Sequence, residues 1–242
     1  MSRIRTLLLT GENRHDWKRT SAAVADLLRA DGRFEVDRTE SPDEILGDAD
    51  VVAGYDLLFC DYNGTMWADA SRANFEQAVS RGTGLVILHF AINSFEGWEA
   101  YERMCGLRYL RGTSAHGEYK EFEVEIRDHE HPVTVGVGNF RQTDELYHTL
   151  LNPHDVPIHV LAAAFSDEDK DAGMPGSGRE EVVAHTVTYG EGRVFNYLLG
   201  HIWPSEVFPG YQGCTDLSYQ GEAFRKMLVR GCEWAATGEV TR

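Results

Sequence analysis

The chain has 242 residues, 42% of them hydrophobic, and a formal net charge of -16. That length suits one α/β domain spanning residues 1–242, and the apolar content supports a core that a disordered chain lacks. The acidic balance argues against nucleic acid or an anionic membrane surface as partner, since both favour surplus Lys and Arg.

Residues 6–9 form a continuous apolar run ending at Thr10-Gly11, which reads as a buried first strand. The run is shorter than the roughly 7–15 apolar residues of a secretory signal and has no small-residue cleavage site. No segment approaches the ~20 apolar residues of a membrane span. Cys60, Cys105, Cys214 and Cys232 show no paired spacing, so they read as reduced thiols in a cytoplasmic protein. A polar loop at 12–16 leads into an amphipathic helix at 17–30, whose inner face carries Ala22, Val24, Leu27 and Leu28. A short strand follows at 33–36, then an apolar strand at 55–60 that stops at Asp61-Tyr62-Asn63-Gly64. A helix at 71–81 closes on Gly82, and a third apolar run at 84–89 ends in His89. Apolar strands separated by helices predict a parallel sheet buried on both faces.

The second half is less regular. Residues 121–126 alternate as a half-exposed strand does, further strands are predicted at 158–163, 181–187 and 194–199, and a last helix at 222–236. The stretch 166–179, rich in Asp, Gly and Pro, reads as a flexible surface loop.

Ligands of open parallel sheets bind beyond the carboxyl ends of the strands. The polar residues there are Asn13, His15 and Asp16, then Asp61 and Asn63, then His89 with Asn93, and finally His201 after Gly200. Three of ten histidines thus follow predicted parallel strands. A strand-end histidine is more often structural, but His89 is a bulky titratable group directly after Leu85-Val86-Ile87-Leu88, costly to bury without a role. His116 is ambiguous. Asp144-Glu145-Leu146-Tyr147-His148 is either a surface turn or the source of a base or metal ligand. His129 and His131 suit loop stabilisation, and His154, His159 and His185 structural or surface roles. There is no HExxH, Cys/His quartet, EF-hand loop, GxGxxG, GxxxxGK[ST] or G-x-S-x-G. By ligand type, His15, His89, His116 and His201, with Glu145, would suit a divalent ion such as zinc if the fold brought them together.

At these residues the sequence resembles the ThuA family, the trehalose-utilisation branch of the class I glutamine amidotransferase-like fold. The stretches that carry the resemblance are Thr10-Gly-Glu-Asn-Arg-His-Asp-Trp-Lys-Arg-Thr20, Gly84-Leu-Val-Ile-Leu-His89 with Asn93 and Trp98, His116-Gly117, and His131-Pro-Val-Thr134. To these add Asp144-Glu-Leu-Tyr-His148, Tyr189-Gly-Glu-Gly-Arg-Val-Phe195, Leu199-Gly-His201 and Arg230-Gly-Cys-Glu-Trp-Ala-Ala-Thr-Gly238. The resemblance implies a three-layer α/β sandwich with a mainly parallel, flavodoxin-like central sheet. True amidotransferases carry a nucleophilic Cys at the strand-to-helix elbow. Here His89 stands at that place and closes the thioester route, so glutamine hydrolysis is not expected.

The resemblance implies carbohydrate catabolism near disaccharides and their 3-keto derivatives, with His89, His201 and Glu145 as catalytic groups. His15, Asp61, Asn63, Asn93, Trp98 and Tyr147 are then the substrate-binding candidates. Trp17 and Trp67 offer further ring faces, of which only one or two aromatics are expected in a pocket. A non-catalytic sugar-binding or regulatory module on the same fold is the alternative. A stress-type protein of the wider superfamily ranks last, since it usually needs the elbow cysteine. The aromatic content leaves room for a homo-oligomer.

Overall fold

The computed structural model describes residues 3–12, 14–169 and 173–241. Asn13 and part of the 166–179 stretch lie outside the described residues. The central strands are β1 (Ile4–Leu9), β2 (Phe34–Thr39), β3 (Leu57–Cys60) and β4 (Gly84–Leu88). Every residue of β3 and β4 is buried, so both faces of the sheet must be covered. Helix α1 (Trp17–Asp31) and helix α6 (Glu222–Thr237) cover one face. Helices α2 (Pro42–Leu46), α3 (Ala49–Val52), α4 (Asp69–Ser80) and α5 (Glu99–Cys105) cover the other. The strands divide their side chains accordingly. Val86 and Leu88 pack with Leu28 and Met227 on one side, while Leu85 and Ile87 pack with Phe75 and Tyr101 on the other.

The remaining strands are β5 (Ala115–His116), β6 (Lys120–Ile126), β7 (Phe140–Asp144), β8 (Tyr147–His148), β9 (His159–Ser166), β10 (Arg179–Tyr189) and β11 (Gly192–Tyr197). The main sheet runs β2-β1-β3-β4-β11-β10-β9-β6-β7. Its first five strands are parallel, in a flavodoxin-like order. The other four join antiparallel. The sheet is therefore mixed, which corrects the expectation of a mainly parallel one. The cause is local: Tyr189 pairs with Gly192 across the two-residue turn Gly190-Glu191, with Gly190 at φ +60°. So short a turn can join only antiparallel strands. β5 and β8 form a separate two-stranded ribbon. No helix among the described residues is long and apolar enough to cross a membrane.

Helix α6 lies so close to the sheet that a Cβ on Gly84 would stand 2.4 Å from the carbonyl of Ala235. Gly84→Ala should therefore cost about 2–3 kcal/mol, because backbone rather than a flexible side chain must give way. A fall in the urea midpoint at unchanged slope checks this, and an unchanged midpoint would refute it.

Candidate functional site

The carboxyl ends of the parallel strands deliver three histidines to one place. Asp16 ends the β1–α1 loop as the N-cap of α1, accepting from Arg19 N. Its own N–H donates to Ile202 O at 2.8 Å, which ties His15 to the segment after β11. His89 follows β4 directly, at φ +43°. Such a backbone costs about 1–3 kcal/mol in a non-glycine residue and persists only where the surroundings hold it. Here its Nδ1 donates to Leu198 O at 2.8 Å and its ring stacks on Tyr147 at 4.5 Å. His201 follows Gly200, itself at φ +119°. The Asp144 carboxylate accepts from Gly200 N at 2.8 Å, His201 N at 3.2 Å and Glu145 N at 2.8 Å. That latch joins the end of edge strand β7 to the end of β11, and so brings Glu145 to the histidines.

The result is a buried cluster of His15, His89, Glu145 and His201, whose candidate ligand atoms all lie within 4.8 Å of one another. His201 Nδ1 is 3.1 Å from Glu145 Oε2 and 3.3 Å from His89 Nε2. His15 meets the rings of His89 and His201 edge-on and stacks on Trp203 at 4.8 Å. Trp203 Nε1 donates to Glu145 Oε1 at 2.9 Å. His116, on β5, stands one step out, with Nδ1 at 2.9 Å from Gly117 O and 3.4 Å from Glu145 Oε2.

Burial decides the charge state. It drives the His89 imidazole down to about 3 and holds His15 and His201 well below their ordinary value. For His15 and His201 the neighbouring imidazoles add to the effect. Burial also pushes Glu145 up to about 8 against the Trp203 hydrogen bond. Burial thus disfavours charge on both partners of the His201–Glu145 contact.

Such a set fits a divalent transition metal. Since a carbonyl only accepts, His89 carries its proton on Nδ1 and keeps a lone pair on Nε2, where the Tyr147 hydroxyl now donates at 2.9 Å. His201 Nε2 is buried with no hydrogen-bond partner. Three imidazoles and a carboxylate are a common donor set for zinc and its neighbours. The expected fourth histidine, His116, is replaced in this cluster by Glu145.

Above the cluster opens a cavity of about 220 Å³. It is lined by His15, Glu145 and Tyr147, by the polar side chains of His116 and Asn93, and by the aromatic ones of Phe90, Tyr109 and Trp203, while His89 and His201 lie behind this lining.

A family model for ThuA, described as trehalose utilisation, matches residues 5–235. The chain belongs to the ThuA family. That description fits a place in carbohydrate metabolism. A ThuA-like protein from Parabacteroides merdae is 32% identical, with TM-score 0.85 over 100% of this chain and 92% of its own. Another, from Bacteroides uniformis, is 15% identical with TM-score 0.72 over 99% and 94%. A cytoplasmic protein from Salmonella typhimurium LT2, 15% identical with TM-score 0.62 over 95% and 99%, shares the fold. A search of curated proteins finds no significant match.

Within this ThuA chain, several residues expected at the ligand stand elsewhere. Trp98 and Trp67 are buried with Phe75, Phe95 and Tyr101 in an aromatic cluster under α4 and α5, away from the cavity. Asp61 is enclosed and accepts from Thr20 Oγ1 at 2.6 Å. Asn63 donates to Ser94 Oγ at 3.0 Å, bracing the segment after His89. The end of β3 is thus used for structure, and neither it nor Trp17 lines the cavity. His185, buried, bonds Cys105 O. Trp203, Phe90, Tyr109, Arg14 and Arg111 were not anticipated. Arg14 stands inside the Thr10–Thr20 stretch, Phe90 directly after His89 and Trp203 two residues after His201, while Tyr109 and Arg111 lie in no highlighted segment.

Proposed function

We propose that this ThuA-family chain is an enzyme that acts on a keto-sugar ring by histidine and glutamate acid–base chemistry with the help of a divalent metal. The observation that carries the reading is the buried cluster of three imidazoles and one carboxyl group, two of whose members, His15 and Glu145, line a ring-sized cavity. Drug-sized ligands occupy about 300–1,000 Å³, so about 220 Å³ suits one ring of a disaccharide or its 3-keto derivative, the second ring staying outside. His15, His89, Glu145 and His201 would hold the metal, whose Lewis acidity would polarise a bound carbonyl and so acidify the neighbouring C–H.

Proton movement falls to the groups that face the ring. His116 has Nδ1 committed to Gly117 O, leaving Nε2 with a lone pair at the cavity wall. Tyr147 presents a hydroxyl that donates to His89 Nε2 in this structure and would be freed toward the ring were that lone pair given to a metal, and Asn93 offers an amide to a sugar hydroxyl. Phe90, Tyr109 and Trp203 exclude water and stack on the ring. The His89 elbow and His201 after β11 support a class I glutamine amidotransferase-like fold with imidazole in place of thiol. Cys60 and Cys105 are buried with their thiols pushed up to about 12 and about 11, and no cysteine lines the cavity, which speaks against glutamine hydrolysis. The free cysteines support a cytoplasmic location, and the one main sheet supports a single domain.

Elemental analysis of protein purified without chelator is expected to find roughly one divalent transition metal per chain, as a preformed His/Glu site retains it. Incubation with a 3-keto-glycoside should then yield product. Binding without turnover would assign the site to a non-catalytic sugar module, and failure to take up metal even at pH 8 would remove the metal from the proposal.

A further inference from the structure

The cavity mouth carries two features that a neutral sugar does not need. Arg14, on the β1–α1 loop, and Arg111, on the segment after α5, both line it. Both are exposed, and neither has a carboxylate partner among the described residues. Other arginines also lack an acid, Arg29 and Arg193 donating only to backbone carbonyls, but neither of those lines the cavity. Arg33, Arg72, Arg103, Arg127 and Arg141 all find acids, several within four residues in sequence. The nearby acids are otherwise engaged. Glu12 accepts from Thr65 N, Asp16 caps α1 and meets Arg19, and Glu145 faces His201 and Trp203. Two guanidinium groups on separate segments therefore line one ring-sized space, and no carboxylate among the described residues is paired with either.

From this we infer that the ring bound here carries an anionic substituent, a carboxylate or a phosphate, held at the mouth by Arg14 and Arg111 while the carbonyl lies toward the histidine cluster. Guanidinium groups recognise both oxyanions through paired, charge-assisted hydrogen bonds. In a strongly acidic protein they also create a local positive potential that draws an anion in. The inference rests on the sugar-site reading above and narrows its substrate class.

Calorimetric titration of the intact metal-loaded protein with glucose, glucuronate and glucose 6-phosphate separates the possibilities. One of the two anionic sugars is expected to bind at least tenfold more tightly than glucose, and which one does so distinguishes carboxylate from phosphate. Arg14→Gln with Arg111→Gln should remove that preference while changing glucose affinity less than twofold. Raising salt should weaken only the anionic ligand. Equal binding of all three sugars, or a preference that survives the double substitution, would overturn the inference and leave the sugar site standing. Binding of none, together with no binding or turnover of a 3-keto-glycoside, would overturn both.

Discussion

His89→Ala is expected to lower keto-glycoside turnover by about 10³-fold, the scale on which preorganised electrostatic and metal contributions act. Metal content should fall in parallel, since the substitution removes one of the four converging groups. Alanine also strands the Leu198 carbonyl that His89 Nδ1 satisfies, a loss of about 1–2 kcal/mol in stability. The companion His89→Gln resolves this, because glutamine keeps a side-chain N–H and much of the volume but no imidazole lone pair. If the glutamine variant folds like the parent yet loses both metal and turnover, the lone pair is the functional feature. Full activity in either variant would remove His89 from the site.

Legibility in the sequence followed the range of the interactions. Runs such as Leu57–Cys60 and Gly84–Leu88 are apolar at every position, and burial on both faces is the only arrangement that spares them from water. The three histidines at strand ends could be grouped because the carboxyl ends of parallel strands share one edge. Glu145 is different. It comes from edge strand β7, several strands removed from β11 in the sheet, and meets His201 only through the Asp144 latch. The neighbouring Asp144 makes that closure, but its partners Gly200 and His201 lie 56 and 57 residues further along the chain. The antiparallel half hides in a smaller feature: Gly190-Glu191 joins the two strands directly, yet it lacks the Asn-Gly or Asp-Gly pair that marks such a hairpin most strongly. Trp98 and Trp67 show the same limit from the other side. An aromatic near a polar strand end looks like a ring-stacking surface until the helices that bury it are placed.

Asp61 yields a stability prediction in place of the ligand role. Its carboxyl is enclosed beside Thr20, and burial raises it from 3.8 to about 7. Below about pH 4 it is protonated in both the folded and unfolded chain and its contribution is intact. As the pH climbs toward 7, the unfolded chain releases the proton while the folded one retains it, so the folded state loses ground; above 7 the loss levels off. Asp61→Asn keeps an acceptor for Thr20 and cannot ionise. Its stability relative to the parent should therefore rise by about 2 kcal/mol between pH 5.5 and pH 8, which is 1.36 kcal/mol for each unit of proton affinity retained over that interval. Asp144, raised to about 7, and Glu145, raised to about 8, have the same sign and remain in both proteins, so the difference isolates Asp61. Urea titrations at the two pH values measure it. A difference that stays constant across them would mean that Asp61 is already ionised in the fold, compensated by Arg38 more strongly than its burial allows.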